Sequence, residues 1–125
     1  MQERCKRQAE RDVPAFTHLA RLYEEAKKPD LALRAIQEAY RADPRNVAVI
    51  RQIAASMQAM GRHAEAIQWL QGAGAIDPRD AEVHYALAAS YLALGRRGEA
   101  NAEYGVVCTL DPALARKLYH LLGGR

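Results

Sequence analysis

Asp43-Pro44-Arg45-Asn46 and Asp77-Pro78-Arg79-Asp80 are one turn written twice, 34 residues apart, and Asp111-Pro112 opens it a third time at the same interval. A fixed period of this length means one supersecondary unit repeated and stacked. Outward from these turns the units overlay residue for residue. Phe16, Ile50 and His84 share a slot, as do Leu19, Ile53 and Leu87, then Ala20, Ala54 and Ala88, then Tyr23, Met57 and Tyr91. Steps of three, one and three trace one stripe of an α-helix. A second stripe follows: Ala32, Ala66 and Ala100, then Ile36, Leu70 and Tyr104, then Ala39, Ala73 and Val107. Large residues fill the space between helices, and small ones let two helices approach. Each unit therefore reads as an antiparallel helix pair. A lone pair leaves one face bare, so each pair needs its neighbour.

The punctuation agrees. Asp12, Asn46 and Asp80 each precede an apolar helical run and suit the N-cap, where a short side-chain oxygen accepts from free backbone N–H groups. Gly61 and Gly95 suit the ends of first helices. Unit one instead has Lys27-Lys28-Pro29-Asp30: basic residues in a last turn, a proline stop, and Asp30 as the next cap. These signals predict helices over 13–26, 30–42, 47–60, 63–76, 81–94 and 97–110. Residues 113–122 predict a capping helix begun by Asp111 and Pro112 and ended by Gly123 and Gly124. Its Leu118, Leu121 and Leu122 continue the first-helix stripe, and Arg116, Lys117 and His120 keep its outer face wet. Residues 1–12 are charged and lack the pattern, and read as a tail, the remnant of a helix or the remnant of an earlier repeat. The expected organisation is one all-α repeat domain over 13–122, with units 13–46, 47–80 and 81–114.

On these residues the chain resembles the tetratricopeptide repeat family. The family pattern runs from an aromatic or large residue to Leu-Gly, then Tyr, later Ala, an aromatic and Pro. Ala20, Ala54 and Ala88 stand where glycine is usual, and Ile50 and His84 where tryptophan is usual. The resemblance covers residues 13 to about 122. It implies a right-handed superhelix of three antiparallel helix pairs plus a C-terminal capping helix. It also implies a non-enzymatic scaffold without cofactor, holding a peptide or helix of a partner protein in a concave groove. In bacteria similar domains act in secretion, pilus and envelope assemblies. Two other readings stay open: a structural domain that self-associates into a homo-oligomer, and a non-catalytic regulatory fragment of a larger enzyme.

The resemblance places the groove on the first helices, one or two steps off the core stripe. The positions are Thr17, Arg21 and Glu24, then Arg51, Ala55 and Gln58, then Tyr85, Ala89 and Leu92, with Tyr119 extending the row. The row is polar at its start, with Arg21 and Arg51, and small, aromatic and apolar at its end. That suits a ligand with one acidic and one apolar end. Arg51 offers a forked contact to a carboxylate, and Tyr85 in the same slot a flat surface with a polar tip. One subset of the family clamps C-terminal carboxylates of chaperones with Lys and Asn. The matching places here are Thr17, Arg21, Gln52, Glu82 and Ala86. Arg21 alone supplies a cation and Glu82 repels a carboxylate, so that ligand is not expected. Trp69 lies off the stripe of an outer helix, where its counterparts are Ala35 and Glu103. It reads either as a convex contact for a partner or second copy, or as a side chain leaning over its own helix near Glu65 and Ala66.

Other classes fare poorly. Net charge is +3, with basic residues dispersed among acids, unlike the clustered face of a nucleic-acid binder. The uncharged run Val83 to Gly95 is too short to span a bilayer, and no signal-peptide pattern opens the chain, so a cytoplasmic location is expected, or a periplasmic one if the chain is a fragment. The 14 Arg against 4 Lys, with 25 Ala, hint at a bacterial source. Two cysteines make no disulfide framework; Cys108 is expected to pack as a small apolar residue and Cys5 to be exposed. Ser56 and Ser90 share one slot, which reads as a tight helix contact rather than a nucleophile. His18, His63, His84 and His120 form no helical metal pair; His84 is expected to pack with a polar tip. Gly72 and Gly74 predict early fraying of a second helix or close approach of a neighbour, and Gly105 repeats the question.

Overall fold

The computed structural model describes the backbone of residues 2–123 and the side chains of residues 13–123. Seven helices follow one another: α1 (Gln2–Glu25), α2 (Pro29–Ala42), α3 (Val47–Ala59), α4 (His63–Ile76), α5 (Ala81–Ala93), α6 (Arg97–Leu110) and α7 (Pro112–Leu121). There is no strand among the described residues. Helices adjacent in sequence pack on each other. In addition α1 touches α3, α3 touches α5, and α5 touches α7, whereas the backbones of α2, α4 and α6 stay apart. The first helices therefore lie on the inner side of the curve and the second helices on the outer side.

The repeated turns have a backbone cause. After each first helix one residue takes a left-handed conformation: Lys27 (φ 60°), Gly61 (φ 78°) and Gly95 (φ 77°). The next amide then reaches back to the last turn, Lys28 to Tyr23, Arg62 to Met57 and Arg96 to Tyr91, each at 2.8 Å. This is the double closure that satisfies orphan carbonyls at a helix end. Asp43, Asp77 and Asp111 each C-cap a second helix. Asn46 then caps α3 by accepting from the Val49 amide at 3.3 Å, and Asp80 caps α5 by accepting from the Glu82 amide at 3.0 Å.

Two boundary readings change. α1 begins at Gln2, so Asp12 lies inside it rather than capping it. The sequence before Val13 is rich in Arg, Glu and Gln, which sustain a helix without any apolar stripe. Lys28, not Asp30, is the N-cap of α2, with Pro29 at the first helical position and Asp30 in the first turn. α7 starts directly at Pro112, so Asp111 both ends α6 and caps α7, accepting from Ala113 and Leu114 at 3.1 and 3.2 Å. Counting 34 residues on from α5 would start it three residues later.

Both stripes form the core, with Ala20, Ala32, Ile36, Ile53, Ala54, Leu70, Ala88, Ala100 and Val107 fully buried. The edges depart from the expected pattern. Leu19 is 39% exposed although its counterparts Ile53 and Leu87 are buried, because no second helix packs on that face of α1 within the described structure. Leu118 is buried, but Leu121 is 51% exposed. Cys108 is exposed instead of packed, while Cys5 falls outside the described side chains.

α4 runs unbroken through both its glycines to Ile76, so the expected early fraying does not occur. A Cβ at Gly72 or Gly105 would meet nothing within 4 Å, and one at Gly74 would meet Val83 Cγ1 at an ordinary 3.9 Å. No close approach demands glycine at these positions. Gly72→Ala and Gly105→Ala are therefore expected to stabilise the chain by about 1 kcal/mol each, read from urea denaturation midpoints.

Candidate functional site

The inner face is built by hydrogen bonds that run from one first helix to the next. Gln52 Nε2 donates to the Thr17 carbonyl at 3.3 Å, and Ser56 Oγ to Glu24 Oε1 at 3.4 Å, joining α3 to α1. Gln58 Nε2 donates to the Ala86 carbonyl at 3.1 Å and to Ser90 Oγ at 2.6 Å, joining α3 to α5. Ser56 and Ser90 are buried, as a close helix contact requires, and each also carries a bond across that contact. Gln58 thus has a structural task on a row that the sequence assigns to ligand binding.

Arg51 changes more. Its guanidinium is paired with Glu82, and its Nε lies 3.4 Å from Asp80 Oδ2, so the residue clamps α3 to the N-terminus of α5. Asp80 is itself the N-cap of that helix. The sequence reading treats this guanidinium as free for a ligand carboxylate; the structure shows it already engaged by two acids one repeat onward. Arg51→Glu would set three acidic groups against one another, and so is not a clean test of binding.

Tyr119 does not extend the row. Its ring sits 6.1 Å from that of Tyr104 on α6, an outer helix. The early start of α7 breaks the 34-residue register that aligned Tyr119 with Tyr85. The C-terminal end of α7 is held by Arg97, whose guanidinium donates to the Leu122 carbonyl.

The positions of the row left without a side-chain bond to the next repeat are Thr17, Arg21, Ala55, Tyr85, Ala89 and Leu92, while Glu24 accepts from Ser56. Arg21, Glu24 and Ala55 are exposed, and Thr17, Tyr85, Ala89 and Leu92 half-buried. A cavity of about 400 Å³ opens between α1 and α3, lined by Glu24, Lys27, Pro29, Ala55, Ser56 and Ala59. Its helical floor is made of small side chains and its rim carries one acid and one base. Glu24 and Ala55 were legible from the register. Lys27, Ser56 and Ala59 were not singled out for binding, because they belong to a turn or to positions one step round the helix.

On the outer face Trp69 neither projects as a free contact nor leans over its own helix. Its ring meets Tyr40 of α2 edge-on, 4.9 Å between centroids and 89° between planes. The two flank a shallower cavity of about 320 Å³ that also involves Pro44, Ile50, Gly72 and Ile76. An edge-to-face pair of this kind joins outer helices whose backbones do not touch.

His84 fills an aromatic slot, with a polar tip as expected, but the tip is fully used. Nδ1 lies 2.6 Å from Glu103 Oε2 on α6, and Nε2 lies 2.9 Å from the Pro78 carbonyl. Both partners are acceptors, so the ring satisfies both when it carries two protons. Burial works against the charged ring and is the largest single influence. The Pro78 carbonyl, the Glu103 carboxylate and the charge of Asp80 together outweigh it and raise the pKa above 6.5. Among the described residues no three His, Cys, Asp or Glu side chains gather as a metal site, and no helix is long and apolar enough to cross a membrane.

A family model for the tetratricopeptide repeat matches residues 23–89 and 58–106, together more than half of the chain. No curated protein matches the chain. Among solved structures, the first repeat domain of Spaghetti (RPAP3), bound to the HSP90 peptide SRMEEVD, aligns with a TM-score of 0.80 at 22% identity, covering 91% of this chain and 95% of that one. The Arabidopsis OM64 domain aligns with a TM-score of 0.84 at 18% identity, covering 92% and 97%. MamA from AMB-1 reaches 31% identity with a TM-score of 0.70, covering 79% of this chain and 58% of MamA.

Proposed function

The chain belongs to the tetratricopeptide repeat family, and on that premise we propose that it is a protein-interaction scaffold whose inner face holds a peptide or short helix of a partner. The observation that carries the reading is the cavity between α1 and α3. It sits on the inner row, it has an alanine floor at Ala55 and Ala59, and its volume of about 400 Å³ suits a side chain of a bound segment. Farther along the row, Tyr85, Ala89 and Leu92 offer half-exposed apolar surface.

With Arg51 neutralised by Asp80 and Glu82, the face no longer favours a ligand with a strongly acidic end. The solved domain of Spaghetti carries an acidic HSP90 peptide. Of the places that would clamp its carboxylates, Gln52 bonds to the Thr17 backbone and Glu82 takes Arg51, which leaves Arg21 as the single open cation. The ligand we propose is mainly apolar, with a single polar group set between Glu24 and Lys27.

Selection of binders from a random peptide library tests this. Selected peptides are expected to bind the wild type, and Ala55→Arg is expected to weaken them about thirtyfold, equivalent to about 2 kcal/mol, by filling the cavity. Ala55 is exposed, so the melting temperature should hold. Trp69→Ala is expected to leave binding intact. Binding that survives Ala55→Arg and fails with Trp69→Ala would place the site on the outer face.

A further inference from the structure

The exposed edge of α1 and the turn residue that follows it carry four apolar residues in one line: Ala15, Leu19, Leu22 and Ala26. Leu19 is 39% and Leu22 48% exposed, high values for leucines in the middle of a helix. The spacing of four, three and four residues is that of a coiled-coil seam.

Register shows what this face is. Ala15 and Leu19 occupy the slots of Val49 and Ile53 in α3 and of Val83 and Leu87 in α5, all buried in the repeat-to-repeat interface. The edge of α1 is the same packing surface, open. Leu22 differs. Its counterparts Ser56 and Ser90 are small and buried, and each bonds to the preceding first helix. A leucine there does not fit that close contact, so the face is not shaped for another unit stacked in the same frame.

We propose that this face is an interface between two copies of the chain, formed by α1 against α1 in antiparallel orientation. A two-fold axis between residues 20 and 21 sets Leu19 of one copy against Leu22 of the other, twice, and Ala15 against Ala26, twice. One patch meets itself with matched layers, as an isologous contact requires. His18 and Glu25 are both exposed and flank the seam on one side. In the antiparallel arrangement each lies near the other's counterpart, so an imidazole meets a carboxylate on that side of the seam. The proposal stands apart from the peptide-binding reading, since none of these residues faces the cavity between α1 and α3.

Sedimentation equilibrium over a range of protein concentrations tests it. The wild type is expected to shift from monomer to dimer as concentration rises. Leu22→Glu and Leu19→Lys are each expected to remain monomeric, with unchanged helical circular dichroism because both positions are exposed. An equimolar mixture of the two variants is expected to recover dimer, since Glu at 22 then faces Lys at 19 across the axis while the remaining Leu pair is kept. A wild type that stays monomeric throughout, or a Leu22→Glu variant that still dimerises, overturns the proposal. A mixture that stays monomeric overturns the antiparallel register.

Discussion

Leu87→Asp is expected to abolish the folded state, while the same substitution at Leu19 leaves the melting temperature nearly unchanged. The two leucines hold one slot of the repeat, 68 residues apart, and a sequence alignment of the units treats them as equals. Leu87 is 4% exposed, enclosed in the core between units two and three, whereas Leu19 is 39% exposed. An aspartate at 87 places a carboxylate in the hydrophobic core and also removes the packing of the leucine. Losses of this kind reach about 4–5 kcal/mol, close to the whole stability of many small domains. In a stack held by nearest-neighbour interfaces, damage between units two and three also uncouples unit three from the rest. Circular dichroism and thermal melting at low protein concentration read both variants. A cooperative transition at the wild-type temperature for Leu87→Asp would contradict the packing described above.

The second large effect concerns pH. His84 bridges two acceptors, Glu103 on α6 and the Pro78 carbonyl in the turn before α5, with the Asp80 carboxylate adding to the field. Its pKa is raised in the folded chain, so its protonated form stabilises the fold. That contribution is complete below the unfolded value near 6.5 and is lost as pH rises through the folded value. Unit three is therefore expected to weaken from mildly acid to mildly alkaline pH. His84→Leu keeps the bulk but leaves the Glu103 carboxylate and the Pro78 carbonyl without their donor. It is expected to cost about 1–3 kcal/mol at pH 6, and the difference between wild type and variant is expected to shrink as pH rises through the folded value. Urea denaturation at several pH values checks this. A wild-type-minus-variant difference that grows with rising pH would mean that the ring is held neutral.

Much of the molecule was readable beforehand because the relevant physics is local and periodic. The core stripes, the glycine turns and the Asn46 and Asp80 caps follow from helical spacing and from backbone groups within a few residues of each other. Burial at repeated slots follows from the same period, for Ile53 as for Ala54. The candidate site was only half readable. Register set Glu24 and Ala55 on the inner row, where the cavity opens, but it assigned Arg51 and Gln58 to a ligand. Those two side chains are long enough to reach the next repeat, and whether they do so depends on partners about 30 residues away.

What the sequence determined by itself is the repeating unit: its helices, its turns, its two packing stripes and thus its family. All of these arise from interactions within one period, repeated. What the tertiary structure decided lies where the period ends or where side chains cross between units. α7 follows α6 without the Arg-Asn or Arg-Asp turn that separates the helices of the earlier units, and its Tyr119 comes to lie against Tyr104 of an outer helix. Leu19 stands open because its slot is filled from a neighbouring helix, not from its own. Arg51 and His84 are held by acids that the turn and the superhelix bring to them. Each depends on distances between residues far apart in sequence, and those distances are set by the packing of one helix pair on the next.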